Sequence, residues 1–180
     1  MQFAVGDKVV HPHHGPGWIA GVAQLELMDG PKSYYTIEIV GQDLTVHIPV
    51  LTAEEAGLRP AMSSSKLSKV LETLRSRPHR LPDDFKERQE QVGDKIALGE
   101  VLGLAQVVRD LTWHEHRAHL TKRDSDLLKD GWELLAAEMA LVSGNDVSEV
   151  NELIRSTLAS AMEELSEDPQ ELQAAPSPAD

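Results

Sequence analysis

An α+β chain is predicted from three observations: a strand-patterned opening over residues 3–50, a change of hydrophobic period from two to about 3.6 at Ser63, and five amphipathic stretches beyond it. Val9 and Val10 begin a strand that ends at Pro12. Gly15-Pro16-Gly17 then predicts a tight reversal, since glycine accepts positive φ freely. Trp18 to Leu27 reads as a second strand, Met28-Asp29-Gly30-Pro31 as a hairpin turn, Tyr34 to Val40 as a third strand and Leu44 to Pro49 as a fourth. Four or five short strands at this spacing favour an SH3-like or Tudor-like barrel over an open sheet with long unpaired edges.

The helical part begins with Ser63-Ser64-Ser65 as N-cap candidates for a helix to about Ser76, with Leu67, Val70, Leu71 and Leu74 on one stripe. Arg77-Pro78-His79-Arg80-Leu81-Pro82 breaks it, and Asp83 or Asp84 caps a second helix, Phe85 to Leu98. A third runs from about Gly99 to His116, burying Val101, Leu104, Ala105, Val108 and Leu111. Thr121 caps a fourth to about Val142, and Asn145 or Asp146 a fifth to about Leu165. Three segments are therefore expected: a barrel over 1–60, a compact helical domain over 63–165, and an acidic Pro/Ala-rich tail over 166–180 with too little apolar surface to offset the entropy of ordering it.

Composition narrows the function classes. The chain holds no cysteine, which rules out disulfides and thiolate chemistry and fits a reducing, cytoplasmic compartment. No apolar run approaches the roughly 20 residues of a membrane span, and the opening lacks the pattern of a signal peptide. A formal charge of −13 argues against a whole-surface grip on nucleic acid, because that affinity comes from cations displacing counterions. One stretch is locally cationic: Lys66, Lys69, Arg75, Arg77, Arg80, Lys86 and Arg88 outnumber the acids between them.

His11, His13 and His14, and again His114, His116 and His119, invite a metal reading. Within a helix His114 and His116 lie about 200° apart and cannot share an ion, while His116 and His119 can. No third ligand is placed, so turn and surface histidines are the expectation, with no metal or cofactor; a histidine-metal hydrolase would need a pocket joining the two clusters. No nucleophile elbow or phosphate loop is present, so no catalytic residue is assigned and a binding role is expected, with no small-molecule substrate. Trp113 and Trp132 read as helix packing, whereas Trp18 has no assigned role. Phe85 projects from the first turn of its helix beside the cationic stretch, either as a staple on its own domain or as an apolar wedge for a DNA base step.

The chain resembles the CarD/CdnL family of bacterial transcription regulators over about Met1 to Leu165. The residues that carry the likeness are Val5-Gly6-Asp7-Lys8-Val9-Val10-His11-Pro12-His13-His14-Gly15, Asp43-Leu44-Thr45-Val46-His47-Ile48-Pro49 and Ala56-Gly57-Leu58-Arg59. Gly99-Glu100-Val101 and Leu104-Ala105-Gln106-Val107-Val108-Arg109-Asp110-Leu111 continue it. The resemblance implies a Tudor-like domain bound to the β subunit of RNA polymerase and a helical domain at the upstream edge of the promoter bubble, nucleoid-associated through the polymerase. Such a protein stabilises the open promoter complex without reading sequence.

On that resemblance, Phe85, Lys86 and Arg88 are expected to contact promoter DNA, with Lys66, Lys69, Arg75, Arg77 and Arg80 in support. Leu25, Tyr34, Tyr35, Asp43, Thr45 and His47 are expected to face the polymerase. Phe85 stands where the family typically carries Trp, and Leu25 and His47 where some relatives carry arginine. Glu87 and Glu90 add carboxylates beside the wedge, which opens the alternative of a polymerase-binding adaptor with weak or absent DNA contact.

Overall fold

A computed structural model describes residues 3–27 and 30–166. The tail beyond Ser166, and Met28 and Asp29 of the expected hairpin turn, lie outside the described residues. Strands β1 (Lys8–His11), β2 (Gly15–Leu27), β3 (Gly30–Ile39), β4 (Thr45–Pro49) and β5 (Arg59–Pro60) pair antiparallel in the order β4-β3-β2-β1-β5. Helices α1 (Leu67–Arg75), α2 (Phe85–Leu98), α3 (Val101–Arg117), α4 (Lys122–Ser143) and α5 (Val147–Ser166) follow, giving the expected α+β arrangement.

Several boundaries differ from the sequence reading. β3 already begins at Gly30, inside the expected hairpin turn, and α1 begins at Leu67 after a 3-10 turn over Ser64–Lys66, with Lys66 at its N-cap position and no side-chain cap from the three serines. The chain reverses over Pro12 to His14, and Gly15, Pro16 and Gly17 already belong to β2, opposite His11, Val10 and Val9. Gly17 serves close approach here, not a turn: a Cβ there would stand 2.3 Å from the Glu38 carbonyl oxygen on β3. The third helix starts at Val101, two residues later than expected. Gly99, at φ 63°, is the left-handed residue that ends α2, and Glu100 is the N-cap of α3.

Alternation along the strands sends Val9, Ile19, Tyr35, Ile37, Ile39 and Ile48 into one core with Phe3, Ala53 and Leu58. The helical stripes build another from Val70, Leu74, Leu104, Val108, Leu135, Met139 and Ile154, with Leu67 and Leu71 packed at its margin. Under α2 lies a smaller cluster of Val92, Val107, Leu111 and Leu127, against which Leu81 of the α1–α2 loop packs. Trp113 is buried, and Trp132 donates its Nε1–H to Asn151 of α5 at 2.7 Å.

Sheet and helices meet along α4. Gly15 sits against Leu134, where a Cβ would come within 3.3 Å of Leu134 Cδ2. Nearby, Arg59 of β5 forms a two-pronged ion pair with Glu138 of α4, at 3.0 and 2.9 Å. The buried Glu138 also accepts the Met62 backbone N–H at 2.8 Å, so the chain between sheet and helices is held to α4.

Candidate nucleic-acid and docking interface

The loop from Ser76 to Asp84 has no regular structure, yet side chains from α3 and α2 hold it. On α3, the buried Arg109 donates to the Thr73 carbonyl at 3.1 Å, to Ser76 Oγ and to Asp110. Asp110 in turn accepts the His79 backbone N–H at 2.9 Å. At the far end, Asp84 caps α2 by accepting the N–H groups of Lys86 and Glu87 at 2.9 and 3.0 Å. This cap sets the first turn of α2, so Phe85 projects from the helix start with 48% of its surface exposed.

Lys86 Nζ lies 6.0 Å from the Phe85 ring centroid, so a cation accompanies the ring. Lys66, Lys69, Arg75, Arg77 and Arg80 are all exposed. Arg80 pairs with Asp83 at 3.1 Å, but both side chains are more than three-quarters exposed, and such a pair is worth at most about 1 kcal/mol. A phosphate can displace it. Glu87 and Glu90 are exposed on the same helix.

Arg88 does not join this surface, which corrects the expectation that it contacts DNA. It is 4% exposed, donates to Asp124 of α4 from Nε and Nη2 at 3.2 and 2.7 Å, and caps the Pro82 carbonyl through Nη1 at 2.9 Å. Asp124 completes a capping box with Thr121 at the start of α4. Burial by itself raises the Asp124 pKa. Hydrogen bonds from Arg88 and Thr121, with the Arg88 charge, outweigh burial and hold it at about 2. The signal was present in the sequence: Arg88 shares an i, i+4 stripe with the buried Val92 and with Ile96.

On the sheet, register decides which expected docking residues share a face. Leu25 lies opposite Lys32, Tyr34 opposite Ala23 and Pro49, Thr36 opposite His47, and Glu38 opposite Thr45 and Trp18. Alternation therefore puts Leu25, Tyr34, Thr45 and His47 on one face, together with Trp18. Leu25, Thr45 and His47 are exposed there, Trp18 is 38% exposed, and Asp43 is exposed in the β3–β4 turn. Thr36 Oγ1 and His47 Nδ1 stand 3.3 Å apart.

Tyr35 belongs to the opposite face. It is 2% exposed, its ring meets Phe3 edge-on, and its hydroxyl accepts the Phe3 N–H at 2.9 Å, so the expectation that it faces a partner is corrected. Tyr34, at 8% exposure, is also withdrawn from contact although its strand parity is right.

The first histidine cluster is local. His11 is buried, its ring stacks on His14 with centroids 4.7 Å apart, and its Nδ1 accepts the His13 backbone N–H at 3.2 Å. Burial, then the His14 and His13 charges, lower its pKa, which favours the neutral ring. A groove of about 780 Å³ between the sheet turns and helices α2, α4 and α5 is lined by His13 and His14, but by none of His114, His116 and His119. Among the described residues no three His, Asp or Glu side chains are grouped to hold a metal ion, so the pocket a histidine-metal hydrolase needs is not formed by these clusters.

Two family models match this chain: the CarD-like/TRCF RID domain over residues 3–62, and the CarD C-terminal domain over residues 69–155. The chain belongs to the CarD family. It is 28% identical over 143 residues to the protein named "Putative transcription factor YdeB" of Bacillus subtilis (strain 168), an alignment covering 79% of this chain and 94% of that protein. The CarD-family models meet in the short segment Ser63–Ser68 that follows the Glu138 clamp. Among the described residues no helix is long and apolar enough to cross a membrane. The chain is accordingly a transcription regulator of the CarD type.

Proposed function

We propose that this CarD-family protein is a non-catalytic regulator that docks on the β subunit of RNA polymerase and stabilises the open promoter complex by non-sequence-specific contact at the upstream edge of the bubble. The N-terminal unit over residues 1–60 supplies the docking surface and the unit over 63–165 the DNA contact. The observation that carries this reading is Phe85: a half-exposed apolar ring at the first turn of a capped helix, beside Lys86, with the exposed Arg80 in the loop that precedes it. A ring in this position can enter a base step as it opens and hold it unstacked, while the cations meet the backbone. Binding the open complex better than the closed one shifts that equilibrium with no chemistry of the protein's own, so no enzyme activity is assigned and the protein works in the cytoplasm, at the nucleoid.

The docking surface is the sheet face carrying Leu25, Thr45 and His47 with Asp43 at its end, flanked by the edge strand β4, whose outer side has no strand partner among the described residues. An added strand from the polymerase lobe can pair there. With the full chain, polymerase and promoter, Phe85→Ala shortens open-complex lifetime and leaves β-subunit binding unchanged. An unchanged lifetime overturns the wedge.

The burial of Arg88 favours one second reading. With that cation withdrawn and Glu87 and Glu90 exposed, the DNA contact is less basic than the sequence suggests, as in an adaptor that docks on polymerase and touches DNA weakly. The salt dependence of DNA-dependent affinity separates the two.

A further inference from the structure

Arg59 touches three parts of the molecule at once. Its backbone is a member of the sheet, opposite Val10 in the β1–β5 pair, so it moves with the docking surface. Its guanidinium leaves the sheet and donates to both carboxylate oxygens of Glu138, at 3.0 and 2.9 Å, and also to the carbonyl of Gly99. Glu138 is 1% exposed on α4, and its Oε1 takes the Met62 N–H at 2.8 Å as well. A carboxylate so buried is tolerated only with its partners in place, which keeps the geometry tight.

Gly99 ends α2, and Phe85 begins it. The helix is a rod of about 20 Å, with the ring at one end and the carbonyl held by Arg59 just past the other. We infer that Arg59 and Glu138 are positioning residues that set the reach and angle of Phe85 relative to the docking sheet; this rests on the function proposed above. The lever makes the requirement strict. A tilt of about 10° at the clamp moves the far end of such a rod by roughly 3–4 Å, about the spacing of successive bases along a strand. Docking is then intact while the wedge meets the wrong step.

Lysine at position 59 separates positioning from general stability. It keeps a charge beside Glu138, but a single ammonium cannot reproduce the planar fork that grips Glu138 and the Gly99 carbonyl together. The chain has no cysteine, so Glu38→Cys and Gln91→Cys, both at exposed positions, one on the sheet and one on α2, accept a pair of spin labels on the full chain. In Arg59→Lys the label distance distribution shifts or broadens while thermal unfolding stays cooperative.

In the polymerase–promoter complex, Arg59→Lys keeps β-subunit affinity within about twofold, shortens open-complex lifetime, and adds nothing to the loss in Phe85→Ala, because both act through one ring. Glu138→Gln, which preserves shape and removes the charge, changes distance and lifetime in the same direction and serves if the lysine variant does not fold. An unchanged distance distribution in the folded variants overturns the inference, as does a lifetime loss additive with Phe85→Ala. If Phe85→Ala shortens lifetime and Arg59→Lys does not, the inference alone falls. If Phe85→Ala has no effect, the proposed function falls and the clamp loses its purpose with it.

Discussion

Asp124 and Arg88 face each other across α2 and α4 as a buried pair, at 3.2 and 2.7 Å, and the same guanidinium holds the Pro82 carbonyl of the loop that leads to Phe85. Removing one partner strands the other charge in the interior, a loss of about 3–5 kcal/mol. Arg88→Ala and Asp124→Ala are therefore expected to lower the unfolding free energy by that amount in denaturant titrations. A loss below about 1 kcal/mol would place Arg88 on the surface after all.

The same pair sets an acid limit. The folded Asp124 pKa of about 2 lies below the ordinary 3.8, so its contribution is complete above about pH 4 and is lost as pH falls toward 2. The shift corresponds to about 2 kcal/mol. Melting temperature measured between pH 5 and pH 2, as rough bounds on that window, is expected to fall less steeply in Asp124→Asn than in the unaltered chain.

Salt reports on the DNA face. With Lys86 and one or two neighbouring cations at the backbone, log affinity for DNA in the ternary complex is expected to fall with log salt at a slope of roughly −2 to −3, and Lys86→Ala to reduce that slope by about 1. A flat dependence supports the adaptor reading instead.

Phe85→Trp enlarges the wedge and adds a donor at its edge. Open-complex lifetime is expected to lengthen, with β-subunit binding unchanged; a shorter lifetime would mean that the ring at this position is limited by fit and not by stacking area.

Gly17→Ala drives a methyl group into the Glu38 carbonyl and must part β2 from β3. A loss of about 1–3 kcal/mol is expected in thermal unfolding, together with weaker docking because the same strands carry the docking face.

Much of the architecture was legible because it is set by neighbours in sequence. The period change at Ser63, the Asp84 and Thr121 caps and the stripe through Val70 and Leu74 all depend on residues within two helical turns, and α2 and α4 lie where those signals put them. Gly15, at φ 84°, does close the reversal as expected, but Gly17 misled because a glycine kept for close strand approach looks, in one dimension, like a glycine kept for a turn. Tyr34 and Tyr35 are adjacent on a strand and so face opposite ways; alternation with Ile37 and Ile39 already put Tyr35 on the core face, a signal the expectation of a polymerase contact passed over.

By itself, then, the sequence determined a short β-unit followed by five helices, a capped helix with an aromatic at its start, and a cationic stretch before it. Tertiary structure decided which charges are available and how the two units are joined. Arg88 reads as a surface cation until Asp124, thirty-six residues away, takes it inside. Arg59, in the sequence only part of a family-like run after the last expected strand, ties the sheet to α4 through Glu138, seventy-nine residues away. Local pattern carries propensity and periodicity, but a buried ion pair between distant residues exists only once packing has excluded water from both partners, and that is a property of the folded chain.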